Sequence, residues 1–475
     1  MNLIDVPLSA AILMVPSTLD TRQVISTAEH VILRHLVATL VIFESKSSVK
    51  GLLAKSWKIS DDFKEYSFYL SDHFFSNGTP ILPKDVINSI RLQVEFGETI
   101  HYDFRRILKI EEVPETGVKF TLKQPDKHFL YQLMQSEFGV LHHTDVSCKL
   151  GDRTFSVTSG PFRIKSRTNL NISLTRNHFF VDWLKDSPED FNFISVYDPS
   201  INELIKSNKL LTLAVFPRTI EILRKAQDES YKLYQPRSTQ TGFVALNGKS
   251  KACAETDVRR YVQKILRKID FKLEEQAPMS SRANQLFFPG GPSQLNSDEE
   301  AALWEEIESS TKPKYIPNSL KFVAAKGNPN VAAINSALKN AGFDVDLQEL
   351  DLKHFFAKVL VDDFDLLLIS SDFASAEVLD NIVVSAGDGK SIVFNSGSKI
   401  PQLIIAAHEE SDATKRAKIV KDIGYRFINE GYVFPFVYSI RTIVVHPGFD
   451  FSNWSQFYPD VSIWRMPKLK NNRTH

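Results

Sequence analysis

The sequence predicts an α/β protein of two or three domains, and three observations support this prediction. The chain has 475 residues, which is too long for a single hydrophobic core. Strand-like and helix-like segments alternate from residue 320 to residue 369, a pattern typical of a parallel sheet that is covered on both faces. A separate unit of strand, turn and helix lies between residues 51 and 90, so we expect more than one sheet.

The early unit is predicted from alternation and turn chemistry. Tyr66, Phe68 and Leu70 alternate with other side chains, which indicates a strand with one buried face. The pair Asn77-Gly78 marks a turn, and a helix is expected to begin at Pro83.

The later segments follow the same local rules. Asn330 can cap a helix that Gly342 ends, and Asp412 can cap the last long helix, which ends near Gly431. Strands are expected at 11–16, 241–247, 320–325, 343–347, 364–369 and 433–438, and helices at 257–266, 331–341, 355–360 and from about 412 to 431.

Composition and the N-terminus restrict the function classes. Lys and Arg together number 57, as do Asp and Glu, so no net charge attracts a polyanion and no nucleic-acid partner is expected. The apolar run at 10–15 is followed by Pro16 and has no basic start, so it is neither a signal peptide nor a spanning helix. Two explanations stay open: an export signal was removed and a Met supplied, or the protein is cytoplasmic.

The sequence contains no set of residues that suits an enzyme or a metal centre. It has no Gly-x-Ser-x-Gly elbow, and Val384 stands where a phosphate loop ending at Ser391 would need its first glycine. The segment 142–148 holds metal-ligand side chains, but its spacing matches no closed site. Cys148 and Cys253 could form one disulfide in an exported protein, although two buried thiols are favoured. We therefore predict no catalysis, no cofactor and no metal.

The motifs of this sequence and their order resemble those of the peptide- and nickel-binding extracellular solute-binding proteins, often called family 5. The motifs that carry the resemblance are, in chain order, Thr18-Leu19-Asp20, Leu53-Ala54, Ser56-Trp57, Asp61-Asp62, Tyr66-x-Phe68-x-Leu70, Asn77-Gly78-Thr79-Pro80, Asp85-Val86, Ser159-Gly160-Pro161-Phe162, Asp257-Val258-Arg259 and Phe364-Asp365-Leu366.

The resemblance implies a fold like that of type II periplasmic binding proteins, with two lobes, a hinge and a small accessory α+β domain. Two chain crossings, near 237–242 and near 431–436, are expected to form the hinge. The first lobe is expected to comprise 1–43, 145–240 and 433–475, the accessory domain 44–144, and the second lobe 241–432.

The resemblance also implies a ligand site. Peptide-binding members hold the terminal ammonium of the ligand with an aspartate just beyond a second-lobe strand, and Asp372 matches that position, with Phe373, Ser371 and Ser370 beside it. A carboxylate in a dry cleft suits that role, whereas the alternative is that Asp372 caps a turn or helix at 374–378. Phe394, Trp454 and Tyr458 are candidate walls of the cleft, with core packing as the alternative for each.

These implications predict a monomeric, extracytoplasmic receptor. It would capture a small peptide or similar solute between two lobes and deliver it to the membrane subunits of an ABC importer, in the periplasm or at the cell surface. The alternative is a sensory or regulatory module of the same fold that takes no part in transport and is cytoplasmic or tethered to a partner.

Overall fold

The structure is a computed structural model of the chain, and it forms two compact units. Unit 1 comprises Met1–Pro236 and Thr442–His475, and unit 2 comprises Arg237–Arg441. None of the helices within the described residues has the length and apolar character needed to cross a membrane. The described residues are 8–16, 19–24, 27–45, 48–96, 104–127, 129–146, 154–183, 187–214, 231–234, 239–273, 280–287, 293–373, 392–410, 412–440, 443–450 and 468–469.

Unit 1 contains a mixed sheet of seven strands. Its order is β12-β19-β11-β1-β10-β9-β8, and β1 is parallel to both of its neighbours, β10 and β11. The strands of this sheet are β1 (Leu8–Ile12), β8 (Phe162–Arg167), β9 (Asn171–Arg176), β10 (Asp190–Ser195), β11 (Leu210–Ala214), β12 (Lys232–Tyr234) and β19 (Ile443–Val445).

A second sheet of unit 1 has four antiparallel strands in the order β4-β5-β7-β6. On β5, Tyr66, Phe68 and Leu70 are buried, as the alternating sequence predicts. The remaining elements of unit 1 are β2 (Val41–Ser45), β3 (Ser48–Gly51), β4 (Ala54–Ile59), β5 (Glu65–Leu70), β6 (Ile107–Val113), β7 (Gly117–Leu122), β20 (Phe449–Asp450), β21 (Lys468–Leu469), α1 (Thr27–Leu36), α2 (Pro83–Phe96), α3 (Phe129–Gln132), α4 (His143–Val146) and α5 (Ile201–Lys206), with short 3-10 turns at Thr21–Gln23, Phe104–Arg106 and Ser136–Phe138.

Unit 2 is built on a sheet of six strands in the order β14-β18-β13-β17-β15-β16. Its strands are β13 (Thr239–Leu246), β14 (Ser280–Arg282), β15 (Leu320–Ala325), β16 (Val345–Leu350), β17 (Leu366–Phe373) and β18 (Val433–Ile440), and its helices are α6 (Thr256–Leu266), α7 (Ser297–Ser309), α8 (Val331–Asn340), α9 (Leu352–Leu360), α10 (Ile400–Glu409) and α11 (Ala413–Asn429).

Consecutive residues of β13 lie in different cores, which shows that helices cover both faces of this sheet. Phe243 and Ala245 belong to a cluster that includes Phe427 of α11, whereas Val244 and Leu246 belong to a second cluster on the other face. The predicted covering of both faces is therefore confirmed.

Several predicted element ends are also confirmed. Strand β15 has the predicted bounds, and Pro83 is the first residue of α2. Gly342 takes a φ of +97° after α8, and Asp412 caps α11 by accepting a hydrogen bond from the backbone N–H of Lys415 at 2.8 Å.

The strands of the alternating run are parallel to one another, as predicted, since β15 is parallel to both β16 and β17. The whole sheet is mixed, because β13 and β18 come from segments outside that run and β13 pairs antiparallel with both β17 and β18. Strand β18 was expected to return to the first lobe, yet it pairs with β13 and β14 within unit 2. The separate accessory domain at 44–144 stays a prediction.

Three local predictions are corrected as well. Strand β1 lies at Leu8–Ile12 rather than at 11–16, because its pairing with β10 ends at Ile12. Strand β17 extends beyond residue 369 to Phe373, because residues 370–373 continue the ladder with β13. Asn330 stands before α8 but makes no side-chain cap, since its Oδ1 accepts a hydrogen bond from the backbone N–H of Lys272 at 2.9 Å.

Candidate ligand-binding site

The predicted site residues occupy the last four positions of β17, paired with the first positions of β13. Ser370 lies opposite Gly242, and Asp372 lies opposite Gln240. Asp372 is thus inside a strand rather than just beyond one. The structure describes the backbone of Ser371, Asp372 and Phe373, and their side chains lie outside the description, as do residues 374–378 of the capping alternative.

The same register continues across two more strands and defines a row of polar residues. Gln240 pairs with Ser439 of β18, and Ser439 pairs with Ser280 of β14. The Oγ atoms of Ser280 and Ser439 are 3.4 Å apart. We call these four positions, which occupy one register level of four neighbouring strands, the polar row: Asp372, Gln240, Ser439 and Ser280.

Among the three members of the polar row whose side chains the structure describes, Gln240 has the least committed hydrogen-bonding groups. Its side chain is half-buried, and no hydrogen bond to it is found in the part of the chain that the structure describes. A carboxamide offers two donors and an acceptor, which matches the needs of a peptide group. Ser439 next to it is buried.

The neighbouring register level is satisfied within the protein. Thr241 Oγ1 donates a hydrogen bond to the backbone carbonyl of Leu286 at 3.1 Å, and the Tyr438 hydroxyl donates to the carbonyl of Gln285 at 2.7 Å. Burial raises the pKa of the Tyr438 hydroxyl well above its usual value, so it acts as a neutral donor. The side chains of Thr241 and Tyr438 therefore serve structure, in contrast to that of Gln240.

Gly242 lets the strands pack closely beside the predicted site. A Cβ atom at this position would lie 2.5 Å from Val437 Cγ1 and 3.3 Å from Ser370 Oγ, and the first of these distances is too short for carbon atoms. The pairing of β13 with β18 also shifts register between Gly242 and Phe243. A glycine is needed here because the adjacent strand already fills the space of a side chain.

The predicted aromatic walls have different outcomes. Phe394 is buried in the core of unit 2, where its ring stacks on Phe427 with the centroids 5.6 Å apart and meets Tyr432 edge-on at 5.0 Å. This is the packing alternative stated for Phe394. Trp454 and Tyr458 lie outside the described residues.

The histidine-rich segment forms local contacts. The Nδ1 atom of His142 is 2.9 Å from Thr144 Oγ1, and the His142 ring meets Phe75 edge-on with the centroids 5.0 Å apart. Burial lowers the pKa of His142. Among the described residues, which exclude Cys148, no group of three or more His, Cys, Asp and Glu side chains is placed to hold a metal ion. Cys253 is a free, buried thiol, and burial raises its pKa to about 12.

Sequence reasoning proposed Asp372 as a site residue and did not propose Gln240, Ser439 or Ser280. These three residues come from separate segments, and only the strand register brings them to one level. The polar residues at the start of a predicted strand were the one available signal, since the Gln240-Thr241 pair precedes the apolar run of β13.

This chain is similar to known proteins over most of its length. A curated relative, the probable D,D-dipeptide-binding periplasmic protein DdpA of Escherichia coli, is 24% identical over 472 residues, which is 91% of this chain and 90% of the relative. The solved structure of the periplasmic binding protein DppA from Helicobacter pylori, in complex with the peptide STSA, has a TM-score of 0.77 at 16% identity and covers 98% of both chains.

A third similarity and a family model agree with these two. The solved structure of NikA from Brucella suis, in complex with Fe(III)-EDTA, has a TM-score of 0.70 at 18% identity and covers 98% of this chain and 100% of that one. These structures confirm the predicted α/β fold of the type II periplasmic binding proteins. The family model described as bacterial extracellular solute-binding proteins, family 5, middle region, matches residues 48–382, more than half of the chain. The chain therefore belongs to the family 5 bacterial extracellular solute-binding proteins.

Proposed function

We propose that this protein is an extracytoplasmic receptor that captures a small peptide or a similar solute and delivers it to an ABC importer. Family membership supports the class of function, and the relative named as a dipeptide-binding periplasmic protein supports both the solute class and the periplasmic location. The neighbour bound to a peptide supports the same solute class. The curated relative favours the receptor over the sensory or regulatory alternative.

The polar row is the observation that carries the proposed site. Asp372 would pair with the terminal ammonium of a peptide, because a charge-assisted hydrogen bond to a carboxylate is roughly twice as strong as a neutral one. Gln240, which is paired with Asp372 in the ladder, would bind the first peptide group, and the hydroxyls of Ser439 and Ser280 would extend the polar contacts. Ser370, Ser371 and Phe373 complete the proposed ligand-contacting segment of β17.

Four further parts of the proposal concern catalysis, oligomeric state, partners and cofactors. We propose that it binds its solute without catalysis, since its family consists of binding proteins. It acts as a monomer, and its macromolecular partners are the membrane subunits of an importer. No cofactor enters the proposal.

Isothermal titration calorimetry with di-, tri- and tetra-alanine tests the site. Each peptide is compared with its N-acetylated form, which lacks the ammonium charge. We expect the free amine to bind at least about tenfold more tightly, a difference of about 1.4 kcal/mol, and Asp372→Asn to abolish this difference.

Two variants complete the design. Gln240→Ala should weaken the binding of both peptide forms, because its carboxamide is assigned to the peptide group rather than to the charge. Asp346→Asn is the matched control, since Asp346 is an exposed carboxylate on the edge strand β16 of the same unit. A free-amine preference that persists in Asp372→Asn would contradict the proposed role of Asp372.

A further inference from the structure

A short segment after β14 crosses one face of the six-stranded sheet of unit 2. It comprises residues 284–287, which we call the strap. Leu286 of the strap belongs to the same core as Phe243, and Phe243 lies on the same face of β13 as Thr241. Gln240 precedes Thr241 in the strand, so its side chain lies on the opposite face. The strap therefore lies under the part of the sheet that carries Gln240.

The strap is hydrogen-bonded to two strands. Thr241 Oγ1 of β13 donates a hydrogen bond to the carbonyl of Leu286 at 3.1 Å. The Tyr438 hydroxyl of β18 lies 2.7 Å from the carbonyl oxygen of Gln285 and 3.2 Å from that of Phe287, and it accepts a hydrogen bond from the backbone N–H of Gln285 at 3.3 Å. Thr241 and Tyr438 are both buried, so water does not compete for these hydrogen bonds.

These hydrogen bonds fix β13 and β18 beside the centre of the polar row. Thr241 pairs with Tyr438 across the two strands, so the strap binds both members of one pair. Gln240 pairs with Ser439 one position further along the same two strands. Any shift of one strand against the other would change the separation of Gln240 and Ser439, and the strap opposes that shift.

Gln285 attaches the strap to α7. Its Oε1 accepts a hydrogen bond from the backbone N–H of Leu295 at 2.8 Å, and its Nε2 donates to Glu300 Oε2 at 2.9 Å and to the carbonyl of Leu295 at 3.3 Å. Glu300 Oε1 accepts a second hydrogen bond from Asn284 Nδ2 at 3.1 Å. Gln285 is only 4% exposed. The strap is therefore held in one place by a helix as well as by the strands.

We infer that the strap positions the polar row for its ligand, and that Gln285 is the positioning residue. The inference rests on the proposed function and deepens it, because it names residues outside the site that set its affinity. Side chains that contact a ligand bind it well only when the contacts behind them hold them in the productive geometry. A loss of stability that leaves the protein folded does not change the Kd, so a changed Kd separates positioning from a purely structural role.

A double-mutant cycle measured by calorimetry with di-, tri- and tetra-alanine tests the inference. Thr241→Val removes the hydrogen bond to Leu286 and keeps a side chain of similar shape. We expect it to raise the Kd of the peptides about fivefold in the wild-type background. If Thr241 acts through its neighbour, the same substitution should change the Kd by less than about twofold in a Gln240→Ala background.

An exchange of two residues provides a second test. Gln285→Glu replaces the hydrogen bond to Glu300 by two carboxylates at close range, so it should displace the strap and raise the Kd. Adding Glu300→Gln restores a hydrogen bond with donor and acceptor reversed, and should return the Kd to within about twofold of wild type. Tyr425→Phe is the control, since its hydroxyl donates to Glu306 at 3.4 Å on the surface of the same unit, and it should leave the Kd unchanged.

Thermal unfolding shows that each variant is folded at the temperature of the titration, and if Thr241→Val is not, the exchange carries the test. If the peptides bind but Thr241→Val leaves the Kd unchanged or raises it equally in both backgrounds, the strap is overturned and the receptor stands. An exchange that does not restore the Kd has the same consequence. If none of the peptides binds to the wild-type protein, the proposed function and this inference fall together.

Discussion

Replacing Arg259 by Met should markedly destabilise unit 2, because this arginine joins the start of α6 to the segment that leads into β18. Arg259 is fully buried, and its Nε donates a hydrogen bond to the carbonyl of Glu430 at 2.9 Å. One terminal nitrogen donates to the carbonyls of Cys253 at 2.8 Å and Ala254 at 2.7 Å. The guanidinium lies over the ring of Tyr432, 4.3 Å from its centroid.

The expected loss follows from the groups left without a donor. The carbonyls of Cys253 and Glu430 lose their hydrogen bonds, at about 1.5 kcal/mol each, whereas Ala254 keeps a second donor in Asn395 Nδ2 at 3.3 Å. Loss of the cation–π contact with Tyr432 adds about 1 kcal/mol. The variant no longer has to bury a charge, which offsets part of the sum, so we expect the free energy of unfolding to fall by about 3 kcal/mol.

Urea denaturation followed by circular dichroism measures this loss. With an m value of about 2–3 kcal/mol/M, the midpoint of unit 2 should fall by about 1 M. Arg426→Met is the control: Arg426 is half-exposed and pairs with Asp422 at 3.0 Å on the surface of α11, so its loss should cost less than about 1 kcal/mol. Equal midpoints for the two variants would refute the assigned role of Arg259.

Two further predictions concern a buried histidine and two glycines with a positive φ. Burial lowers the pKa of His73 below its ordinary 6.5. As the pH drops below 6.5, His73 is therefore protonated more readily in the unfolded chain than in the folded one. The free energy of unfolding falls with the pH for this reason. His73→Gln should flatten this decline in a series of thermal midpoints, and an unchanged slope would contradict it. Gly342→Ala, with φ +97° and open space around it, should cost about 1 kcal/mol. Gly431→Ala, at φ +80° and 2.5 Å from Arg259 Cβ, should cost at least about 2 kcal/mol more by urea denaturation, and equal losses would exclude crowding as the cause.

Elements whose type and ends are determined by residues close in the sequence could be predicted. The continuous apolar run at Leu320–Ala325 and the helix start at Pro83 need no information from elsewhere in the chain. The same holds for Gly342, which only has to adopt a positive φ, and for Asp412, which only has to reach Lys415.

Features that depend on distant partners could not be predicted. The Asn330 side chain can either cap its own helix or accept a hydrogen bond from the backbone N–H of Lys272, which is 58 positions away. The residues around Asn330 do not indicate which of the two hydrogen bonds forms. The polar row is the same case on a larger scale, since Gln240 and Ser439 are neighbours only through the register of β13 and β18. The family resemblance suggested Asp372, which stays a prediction, whereas its neighbours in the polar row could be found only from the strand order.

The central claim, that the chain is a receptor for a peptide-like solute, is tested most directly by native mass spectrometry of the protein purified without denaturant. We expect a fraction of molecules heavier than the 53.9 kDa polypeptide, with the extra mass released on collision and fragmenting as a peptide. The recovered solute, added back, should raise the thermal midpoint. A protein that carries no such mass, and whose thermal midpoint is unchanged by a mixed peptide library, would contradict the account.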